Sequence, residues 1–559
     1  MGHRVAALLL CAAAGGGGGG EAAVPPRPPM GFNPCFVPHV GCYMLNLGEA
    51  ALREMALAIS TNGMKDAGYV FFNLDDGWSG ARLPNGSITA ATAGFPSGTL
   101  APLAAYVASL GLRLGVYTDR GTSTCAGRPG SKGYEALDVA TYVHWGVAYV
   151  KVDSCNSAQD FPSVLRDFRA FAAPLAAAGL FFSVCGWSDW IAGVAPPLGD
   201  AWRINQDASF WGRFLENLKS AAAVANLTGP GRGYPDLDMI SGRWSGVQEA
   251  LHLSAIAVVG SPLLLSFDPR DGNSSTLGLA AYLNPELIAI HQDAPSPGAS
   301  YYARVAGADV QGENATRLAA VDCGTPEAVW AFAPESAAAG FGTLAAAGGM
   351  CLGLWDNFPG KCVNAVYAGT VPCSADGALG CPRSAQLWAP GNVSNGWALA
   401  SALNYSGGTP FPGPLLTSTA VPGSYYAQPP GAAVAGGGAQ AWAHTLAPGA
   451  PGTTVLRGAD GRCLAPAPSG VFNVWARWLA GGDVALLLIN FNAVPAAVAC
   501  DAVCMASLPR QGAPPAAWAA RDIWARAAAG TLLPSGYVSP LLPAEGGSLL
   551  LRLTPAGAA

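Results

Sequence analysis

The feature that most constrains the fold is a regular alternation of strand-like and helix-like segments between about residues 30 and 295. Eight apolar runs are typical of strands: the segment MGFNP and residues 69–78, 112–119, 149–155, 180–187, 201–207, 236–240 and 262–268. Between them lie amphipathic stretches such as 49–62, where apolar residues recur at helical spacing and Gly63 can end the helix; they are Leu52, Met55, Ala56 and Ile59. Eight strand-then-helix units over roughly 260 residues predict an α/β fold, a (β/α)8 TIM barrel.

Acidic residues stand at the ends of these predicted strands. They are Asp75, Asp76, Asp119, Asp153, Asp207 and Asp268, with Asp238 close by. Each one taken by itself is explained as the cap of a following helix. In a barrel, however, the carboxyl ends of the strands meet at one rim, where TIM-barrel active sites lie. The acids together therefore predict a polar, acidic cup.

The stretch AYVKVDSCN makes this prediction more specific. Its apolar residues indicate a strand buried on both faces. Lys151 nevertheless lies inside this apolar run, and the strand ends at Asp153. A buried lysine two residues before a carboxylate is costly unless the two groups have a use. We therefore expect a functional role for this strand end.

The chain has 559 residues, which is too long for one core and suggests two or three domains. We assign the barrel to residues 27–304. Residues 472–559 show short alternating strands without a helical period, which predicts a C-terminal antiparallel β-sandwich. Residues 305–471, rich in Gly, Pro and Cys, form a predicted β-rich insertion between the two.

The insertion contains a weak internal repeat. Trp330, Trp388 and Trp442 each end a similar tripeptide, and the first and third are followed 21 residues later by a Cys-Leu pair, Cys351–Leu352 and Cys463–Leu464. This pattern resembles the repeats of ricin-type β-trefoil lectins. The middle repeat lacks its Cys-Leu pair, so a degenerate trefoil and a merely disulfide-rich insertion both stay open.

The N-terminus indicates secretion. Arg4, an apolar run and a series of small residues predict a signal peptide over residues 1–23, the alternative being an Ala/Gly-rich tail. Six N-x-[ST] sequons agree with this, at Asn85, Asn226, Asn273, Asn314, Asn392 and Asn404. We expect a protein of the secretory pathway, extracellular or lysosomal/vacuolar.

The cysteines fit the same compartment. The chain has 14 of them, and the 13 outside the leader are expected to be mostly in disulfides, with at least one thiol free or paired with another chain because the number is odd. No run reaches the roughly 18 apolar residues that span a bilayer. The net charge of −6 argues against a nucleic-acid partner.

Motifs along the barrel resemble one family. PPMGFN, NGMKDAGYVFFNLDDGW, FPSG, the block from Leu110 to Asn156, WRINQD, PDLDM and GSPLLLSFDPR follow one another in order. They are similar to the α-galactosidases and α-N-acetylgalactosaminidases (melibiases) of glycoside hydrolase family 27, over roughly residues 27–298 and 472–556. The resemblance implies a TIM barrel with a C-terminal β-sandwich and a retaining glycosidase.

The resemblance also assigns residues. It makes Asp153 the nucleophile and Asp207, in WRINQD, the general acid/base. The substrate-binding residues it implies are Asp75, Asp76, Tyr117, Lys151, Arg203 and Asp238, with Asp75 and Asp76 holding the O4 and O6 hydroxyls of galactose. It pairs Cys125 with Cys155 in a disulfide that fixes the nucleophile loop, the alternative being two free thiols in the core.

Elementary chemistry agrees with these roles. Retaining hydrolysis needs two carboxylates about 5–5.5 Å apart, one ionised to attack C1 and one protonated to donate to the leaving oxygen. We expect the neighbouring ammonium to keep Asp153 anionic and expect Asp207, if it is screened from water, to keep its proton.

The chain also departs from the family. Cys35, or Phe36 if an insertion shifts the register, stands where the family has a tryptophan that walls the sugar. Gly77 removes the usual partner of Cys42, so we expect Cys35 to pair with Cys42 instead. Gly186 stands where the family has the residue that faces C2, and a glycine leaves room for either substituent. Cys185 loses its partner because Gly199 stands in that place.

We therefore expect an exo-glycosidase that removes terminal α-linked galactose from oligosaccharides, glycolipids or glycoproteins by double displacement. An α-N-acetylgalactosaminidase and a catalytically inert, lectin-like galactoside-binding protein are the alternatives. No cofactor is expected and no metal site is predicted, because the six histidines are scattered. The expected partner is the carbohydrate substrate, without nucleic acid or a transmembrane segment. The oligomeric state is open, and a homodimer fits.

Overall fold

The structure of the chain is a computed structural model. It describes residues 25–38, 48–187, 191, 194 and 198–294, then short segments between 302 and 466, and finally residues 473–508 and 514–556. The predicted signal peptide lies outside the described residues, and so does Cys42.

The predicted barrel is confirmed. Its eight strands are β1 Met30–Phe32, β2 Phe71–Asn73, β3 Arg113–Asp119, β4 Tyr149–Asp153, β5 Phe181–Val184, β6 Ala201–Arg203, β7 Tyr234–Asp236 and β8 Leu263–Leu265. They form one parallel sheet in which β8 pairs with β1 and the order then follows the chain to β7. A parallel bridge between Ile240 and Leu265 joins the segment after β7 to β8. The sheet therefore closes on itself.

Helices cover the outside of the sheet. They are α1 Glu49–Thr61, α2 Ala101–Ser109, α3 Glu135–Trp145, α4 Phe161–Ala178, α5 Trp211–Val224, α6 Gly246–Val259, α7 Leu279–Tyr282 and α8 Pro285–His291. The predicted first helix is confirmed, since its buried residues are Leu52, Met55, Ala56 and Ile59. The chain leaves it through Gly63, whose φ of 94° suits glycine.

The amino-terminal end of the barrel is filled by aromatic rings. Phe71, Tyr149 and Phe181 are the first residues of β2, β4 and β5, and the rings of Tyr149 and Phe181 stack with centroids 4.7 Å apart. Phe71 meets Tyr149 edge-on at 5.5 Å. Because this floor is packed, polar side chains of the barrel interior concentrate at the carboxyl ends of the strands.

The C-terminal region is the predicted antiparallel β-sandwich. Six strands pair in the order Tyr302–Val305, Val474–Trp478, Val484–Asn490, Gly547–Ala556, Ala517–Asp522 and Ala527–Leu532, and a second pair joins Ala499–Asp501 to Gly536–Val538. Alternate residues of the central strand serve two cores: Leu486 and Leu488 pack inside the sandwich, whereas Leu487 and Ile489 join the barrel core. Both faces of this strand are therefore buried.

The strand Tyr302–Val305 precedes the insertion in sequence but pairs with Val474–Trp478, which follows it. The boundary predicted at residue 304 divides this strand. Main-chain pairing across more than 160 residues leaves no local sequence signal, so the boundary was placed by composition. The other boundaries stay predictions.

The insertion is antiparallel β-structure in its described segments. Nine short strands form one sheet: Val329–Pro334, Gly342–Ala345, Met350–Trp355, Tyr367–Pro372, Trp388–Val393, Gly396–Ser401, Leu415–Ser418, Tyr425–Gln428 and Gly452–Val455. A separate pair joins Leu318–Val321 to Cys463–Pro466.

Two repeat tryptophans of the insertion make the same contact. The indole N–H of Trp330 donates to the carbonyl of Leu464 at 2.8 Å, and that of Trp388 donates to the carbonyl of Leu352 at 2.9 Å. Each bond joins a buried tryptophan to the leucine of a Cys-Leu pair in another repeat. This equivalence favours an arrangement with internal symmetry, while Trp442 lies outside the described residues and the trefoil stays a prediction.

The described helices do not include a membrane span. None of them combines the length and the apolar character that crossing a bilayer requires.

Candidate active site

The carboxyl ends of the strands bring the predicted acids together. Asp119 and Asp153 are the last residues of β3 and β4 and stand opposite each other in the strand register. Asp75 and Asp76 follow β2 directly, and Arg203 and Asp236 end β6 and β7. Asp268 is not part of this group, because its carboxylate is held by Arg270, which also binds Glu54 of α1.

Lys151 forms its ion pair with Asp75. Its Nζ lies 3.0 Å from Asp75 Oδ2, and the same oxygen accepts a 2.9 Å hydrogen bond from Asn33 Nδ2. Burial acts to raise the pKa of Asp75, but the Lys151 ammonium and these hydrogen bonds outweigh it and hold that pKa below its usual value. Burial acts to lower the pKa of Lys151, and Asp75 raises it well above the usual range. Both groups are therefore charged.

Asp153 is buried, with 6% of its surface exposed. Its Oδ1 accepts the N–H of Ser154 at 2.8 Å. Burial raises the pKa of Asp153, with Lys151 opposing and Asp207 adding to the rise. The expectation that Lys151 holds Asp153 anionic is thus only partly met, since the ammonium sits on Asp75 and burial prevails at Asp153.

Asp119 supports the loop that follows Asp153. Its carboxylate accepts the N–H of Gly121 at 2.6 Å and that of Cys155 at 2.7 Å. A carboxylate oxygen of Asp119 lies within 4.8 Å of a carboxylate oxygen of Asp153 and of the sulfur atoms of Cys125 and Cys155. These two cysteines form a disulfide, and their Cα atoms are 5.1 Å apart. Burial and the adjacent Asp153 raise the pKa of Asp119 to about 8.

Arg203 links Asp207 and Asp238. Its Nη2 lies 2.9 Å from Asp207 Oδ1 and 2.9 Å from Asp238 Oδ2. Asp238 is buried and also accepts the N–H of Ala208 at 2.7 Å, so it holds the residue after Asp207 in place. The side chain of Asp207 is 50% exposed. The condition set for Asp207 to keep its proton, screening from water, is therefore not met among the described residues.

Asp76 and Tyr117 complete the rim. Asp76 Oδ2 accepts the N–H of Ala126 at 2.7 Å, and burial raises the pKa of Asp76. The hydroxyl of Tyr117 lies 3.4 Å from Cys125 Sγ, and the Lys151 ammonium lies 5.1 Å from the centroid of its ring. Tyr117 is thus packed between the disulfide and the Lys151–Asp75 pair.

Several buried polar atoms of the cup lack a partner within the described residues. They are Asp76 Oδ1, Arg203 Nε and both side-chain polar atoms of Asn73. A buried polar group without a hydrogen bond is costly and calls for an explanation.

Two family models match the chain: one described as alpha galactosidase A over residues 41–293, the other as the alpha galactosidase C-terminal beta sandwich domain over residues 469–552. A probable alpha-galactosidase of Dictyostelium discoideum is 37% identical over 45% of this chain and 66% of its own length. Alpha-galactosidase A of Cellvibrio japonicus is 37% identical over 48% of this chain and 67% of its own length. The chain belongs to the alpha-galactosidase family.

Solved structures agree on the fold. Alpha-galactosidase I from Mortierella vinacea superposes with a TM-score of 0.57 at 18% identity, covering 96% of this chain and 98% of that one. A GH27 β-L-arabinopyranosidase from Geobacillus stearothermophilus gives 0.55 at 15% identity over 95% and 97% of the two chains. The sequence matches span about two thirds of the length of the relatives named above.

Against the family pattern, the position of the sugar wall stays open. The Cys35 N–H is bound by Asn33 Oδ1 at 3.0 Å, and the Phe36 N–H is bound by Ser266 Oγ at 2.9 Å. Cys35 is disulfide-bonded, and its expected partner Cys42 lies outside the described residues. Arg243 stacks over the Phe36 ring at 5.8 Å and donates to the Phe36 carbonyl.

The family-based expectation is that Gly186 leaves room beside the sugar. A Cβ built on Gly186 collides with Cδ1 of Ile191 and lies 3.3 Å from the ring of Phe168 on α4. Both of those side chains are buried in the barrel core. In the described structure the space next to Gly186 is therefore occupied by these two side chains, and the expected room for a C2 substituent stays a prediction.

Sequence reasoning missed four polar contributors. Asn33 and Asn73, with Asp236, line a cavity below the rim together with Lys151, and Cys185 lies beside Asp153. Burial raises the pKa of Asp236 to about 6. Alternation along β2 turns Asn73 inward, and this pattern could have identified it from the sequence. Asn33 could not be identified in this way, because its role depends on a hydrogen bond to Asp75, which follows another strand.

Backbone strain accumulates at the same rim. Asn156, Trp187 and Asp238 follow β4, β5 and β7 and have positive φ angles of 46°, 54° and 79°. Non-glycine residues adopt such angles at a cost, and they concentrate at functional sites.

Proposed function

We propose that this protein is a retaining exo-glycosidase that hydrolyses terminal α-linked galactose, with Asp153 as nucleophile and Asp207 as general acid/base. The observation that carries the proposal is that a buried Asp153, at the end of β4, and a half-exposed Asp207, after β6, are near enough for the charge of Asp207 to raise the pKa of Asp153. Membership of the alpha-galactosidase family supports the same reaction.

In the first step Asp153 attacks C1 of the galactose while Asp207 gives its proton to the leaving oxygen. The exposure of Asp207 suits this role, since its carboxyl must meet both the leaving group and the water that replaces it. In the second step Asp207 takes a proton from water, which hydrolyses the glycosyl-enzyme at C1 and frees Asp153. Arg203 holds Asp207 in place through both steps.

The charged pair of Lys151 and Asp75 supplies substrate selection. Lys151 and Asp75 offer a donor and an acceptor that are fixed by each other and by Asn33, and Asp76 adds a free acceptor atom. An epimer at C4 leaves these buried groups unpaired, which disfavours it strongly. Turnover of an α-glucoside is therefore expected to be far slower than that of the matching α-galactoside.

The secretory pathway is the proposed location. Asn85 and Asn273, two of the sequon asparagines, are exposed. Three disulfides lie in the described residues: Cys125–Cys155, Cys351–Cys373 and Cys500–Cys504. Disulfides persist in oxidising compartments, which supports this placement.

Hydrolysis of chromogenic α-galactoside and α-N-acetylgalactosaminide by the protein and its Asp153→Asn variant tests the proposal. We expect turnover of the galactoside that is lost in the variant. Preference for the N-acetylated sugar would instead make the protein an α-N-acetylgalactosaminidase. Galactose binding without turnover of either substrate would favour the inert, lectin-like alternative.

A further inference from the structure

The loop that carries Asp207 also carries an exposed aromatic ring. Phe210 stands three residues after Asp207 and directly before Trp211, the first residue of α5. Phe210 is 51% exposed, and it is the only exposed phenylalanine among the residues that the structure describes. Solitary exposed apolar residues are common on protein surfaces, so exposure by itself assigns no role to this ring.

The backbone between Asp207 and α5 is fixed at both ends. The N–H of Ala208 donates to Asp238 Oδ2 at 2.7 Å. The Phe210 carbonyl accepts the N–H of Arg213, in the first turn of the helix, at 3.0 Å. The fold therefore sets the position of the Phe210 ring relative to the Asp207 carboxyl.

The ring itself is also held. The guanidinium of Arg213 lies over it, 5.4 Å from the ring centroid, and Arg213 is buried. A cation is attracted to the negatively polarised face of an aromatic ring. A Cβ built on Gly212 lies 3.5 Å from Cε2 of the ring, which therefore rests beside the start of the helix. Arg213 thus covers one face, and the exposed half of Phe210 leaves ring surface free for a ligand.

The role of Asp207 determines which part of a substrate comes near this ring. To protonate the leaving oxygen, the Asp207 carboxyl must lie within about 2.6–3.2 Å of it. The leaving group therefore begins at Asp207, whatever the orientation of the galactose ring. Three residues of chain span at most about 11 Å, so the first unit of the leaving group lies within reach of Phe210.

The chemistry of a sugar ring suits this surface. The C–H bonds of a pyranose form apolar patches between its hydroxyl groups, and their positive ends are attracted to the negative face of an aromatic ring. A methyl leaving group is too small to cover such a ring. Asp207 and Phe210 are both about half exposed, so a leaving group longer than one sugar can continue into solvent.

We propose that the exposed face of Phe210 is a stacking surface for the first sugar ring of the leaving group. The protein then favours α-galactosides whose leaving group is itself a sugar over those of a simple alcohol. This inference rests on the proposed function, because it takes Asp207 to be the group that protonates the leaving oxygen.

Two substrates test the proposal: α-D-galactopyranosyl-(1→6)-D-glucose and methyl α-D-galactopyranoside. Both leaving groups are alkyl alcohols that need the proton of Asp207, and they differ in the sugar ring. The kcat/KM for each is measured with the wild type, Phe210→Ala, Phe210→Leu and Phe210→Trp. We expect the Ala and Leu variants to lose about tenfold on the disaccharide through lost stacking, and less than about twofold on the methyl glycoside. Phe210→Trp should keep the wild-type ratio.

The matched control is Tyr134→Ala. Tyr134 is 41% exposed, directly precedes the first residue of α3 and has the Arg82 guanidinium 4.0 Å from its ring centroid. It follows β3, whereas Asp153 and Asp207 belong to the ends of β4 and β6. Its removal should leave the ratio of the two kcat/KM values unchanged.

Equal losses on both substrates with Phe210→Ala and Phe210→Leu, or no loss on either, would overturn the inference and leave the proposed function intact. A changed ratio in Tyr134→Ala would also overturn it, because the ratio would then respond to the loss of a remote exposed ring. Each ratio is taken within one preparation, so a smaller folded fraction cancels. Hydrolysis of neither substrate by the wild type would reject the proposed function and this inference with it.

Discussion

The ammonium of Lys151 lies 3.0 Å from the Asp75 carboxylate, so the lysine two residues before Asp153 on β4 is paired with a residue that follows β2, two strands away. The side chains of the two residues are 16% and 7% exposed. Both charges are thus desolvated, and each stabilises the other only while the pair is intact. This arrangement makes the cup rigid and polar before any sugar enters it.

Substitution of Lys151 in its ion pair with Asp75 should destabilise the protein. Lys151→Met leaves the Asp75 carboxylate in the barrel without its cation, and breaking a buried pair costs about 3–5 kcal/mol. Because the folded pKa of Asp75 is lowered, its stabilising contribution is present above the unfolded pKa and is lost as the pH falls through the folded pKa. Urea unfolding at pH 7 and pH 3 measures the effect.

The matched control is Lys65→Met, because Lys65 contacts the largely exposed Asp66 at 3.8 Å. That change should shift the unfolding free energy by less than about 1 kcal/mol. Equal losses in the two variants would contradict the assigned role of the Lys151–Asp75 pair.

Asp119 should make stability fall with rising pH. Its folded pKa, about 8, is above the value of 3.8 for a free aspartate. Between these values the folded state holds the extra proton, so stability decreases as the pH rises from about 4 to about 8. Asp119→Asn removes this group, and its Tm relative to wild type should rise steadily over that interval. A difference in Tm that is constant with pH would refute the assignment.

The proposed general acid/base role of Asp207 can be tested by varying the leaving group of the substrate. Asp207→Ala should lower kcat/KM strongly for an alkyl α-galactoside, whose leaving oxygen needs a proton, by about 10²-fold or more. For a 2,4-dinitrophenyl α-galactoside the loss should be small, because that leaving group departs without protonation. Added azide should raise kcat in the variant by replacing the water that Asp207 no longer activates. Loss of the same size with both leaving groups would remove Asp207 from this role.

The extent to which sequence predicts this site can be traced residue by residue. The strand end at Asp153 was predicted because an apolar run stops there at a carboxylate. Arg203 was assigned through the family resemblance, and its strand, predicted over residues 201–207, ends at Arg203 itself. The ion-pair partner of Lys151 was not predicted, because Asp75 lies 76 residues away and follows another strand. The direction of Gly186 depends on Ile191, and the exposure of Asp207 depends on the surrounding loops. Pairing and direction are tertiary properties, whereas the strand pattern is local.

The same distinction applies to the insertion and the C-terminal sheet. Alternation of apolar and polar residues predicted strands in the C-terminal sheet, and composition predicted β-structure in the insertion. The spacing of the tryptophans indicated an internal repeat, and Trp330 and Trp388 make equivalent hydrogen bonds in the structure. The strand Tyr302–Val305 was missed as part of the sandwich because its partner Val474–Trp478 lies beyond the insertion. Sequence spacing carries no information on which distant edge a short strand joins.

Arg477 should couple the sandwich to the barrel. It is fully buried on the strand Val474–Trp478, and its guanidinium donates to the carbonyls of Ala257 at 2.6 Å and Asp293 at 2.6 Å, both in the barrel region. Arg477→Met leaves these buried carbonyls without their donors, which costs about 1–3 kcal/mol for each group. We expect Tm to fall by several degrees and the sandwich to unfold before the barrel, as two transitions in calorimetry. The control Arg552→Met removes a half-exposed partner of Asp483 and should keep a single transition. One unshifted transition in Arg477→Met would show that the apolar contacts of Leu487 and Ile489 hold the two regions together without it.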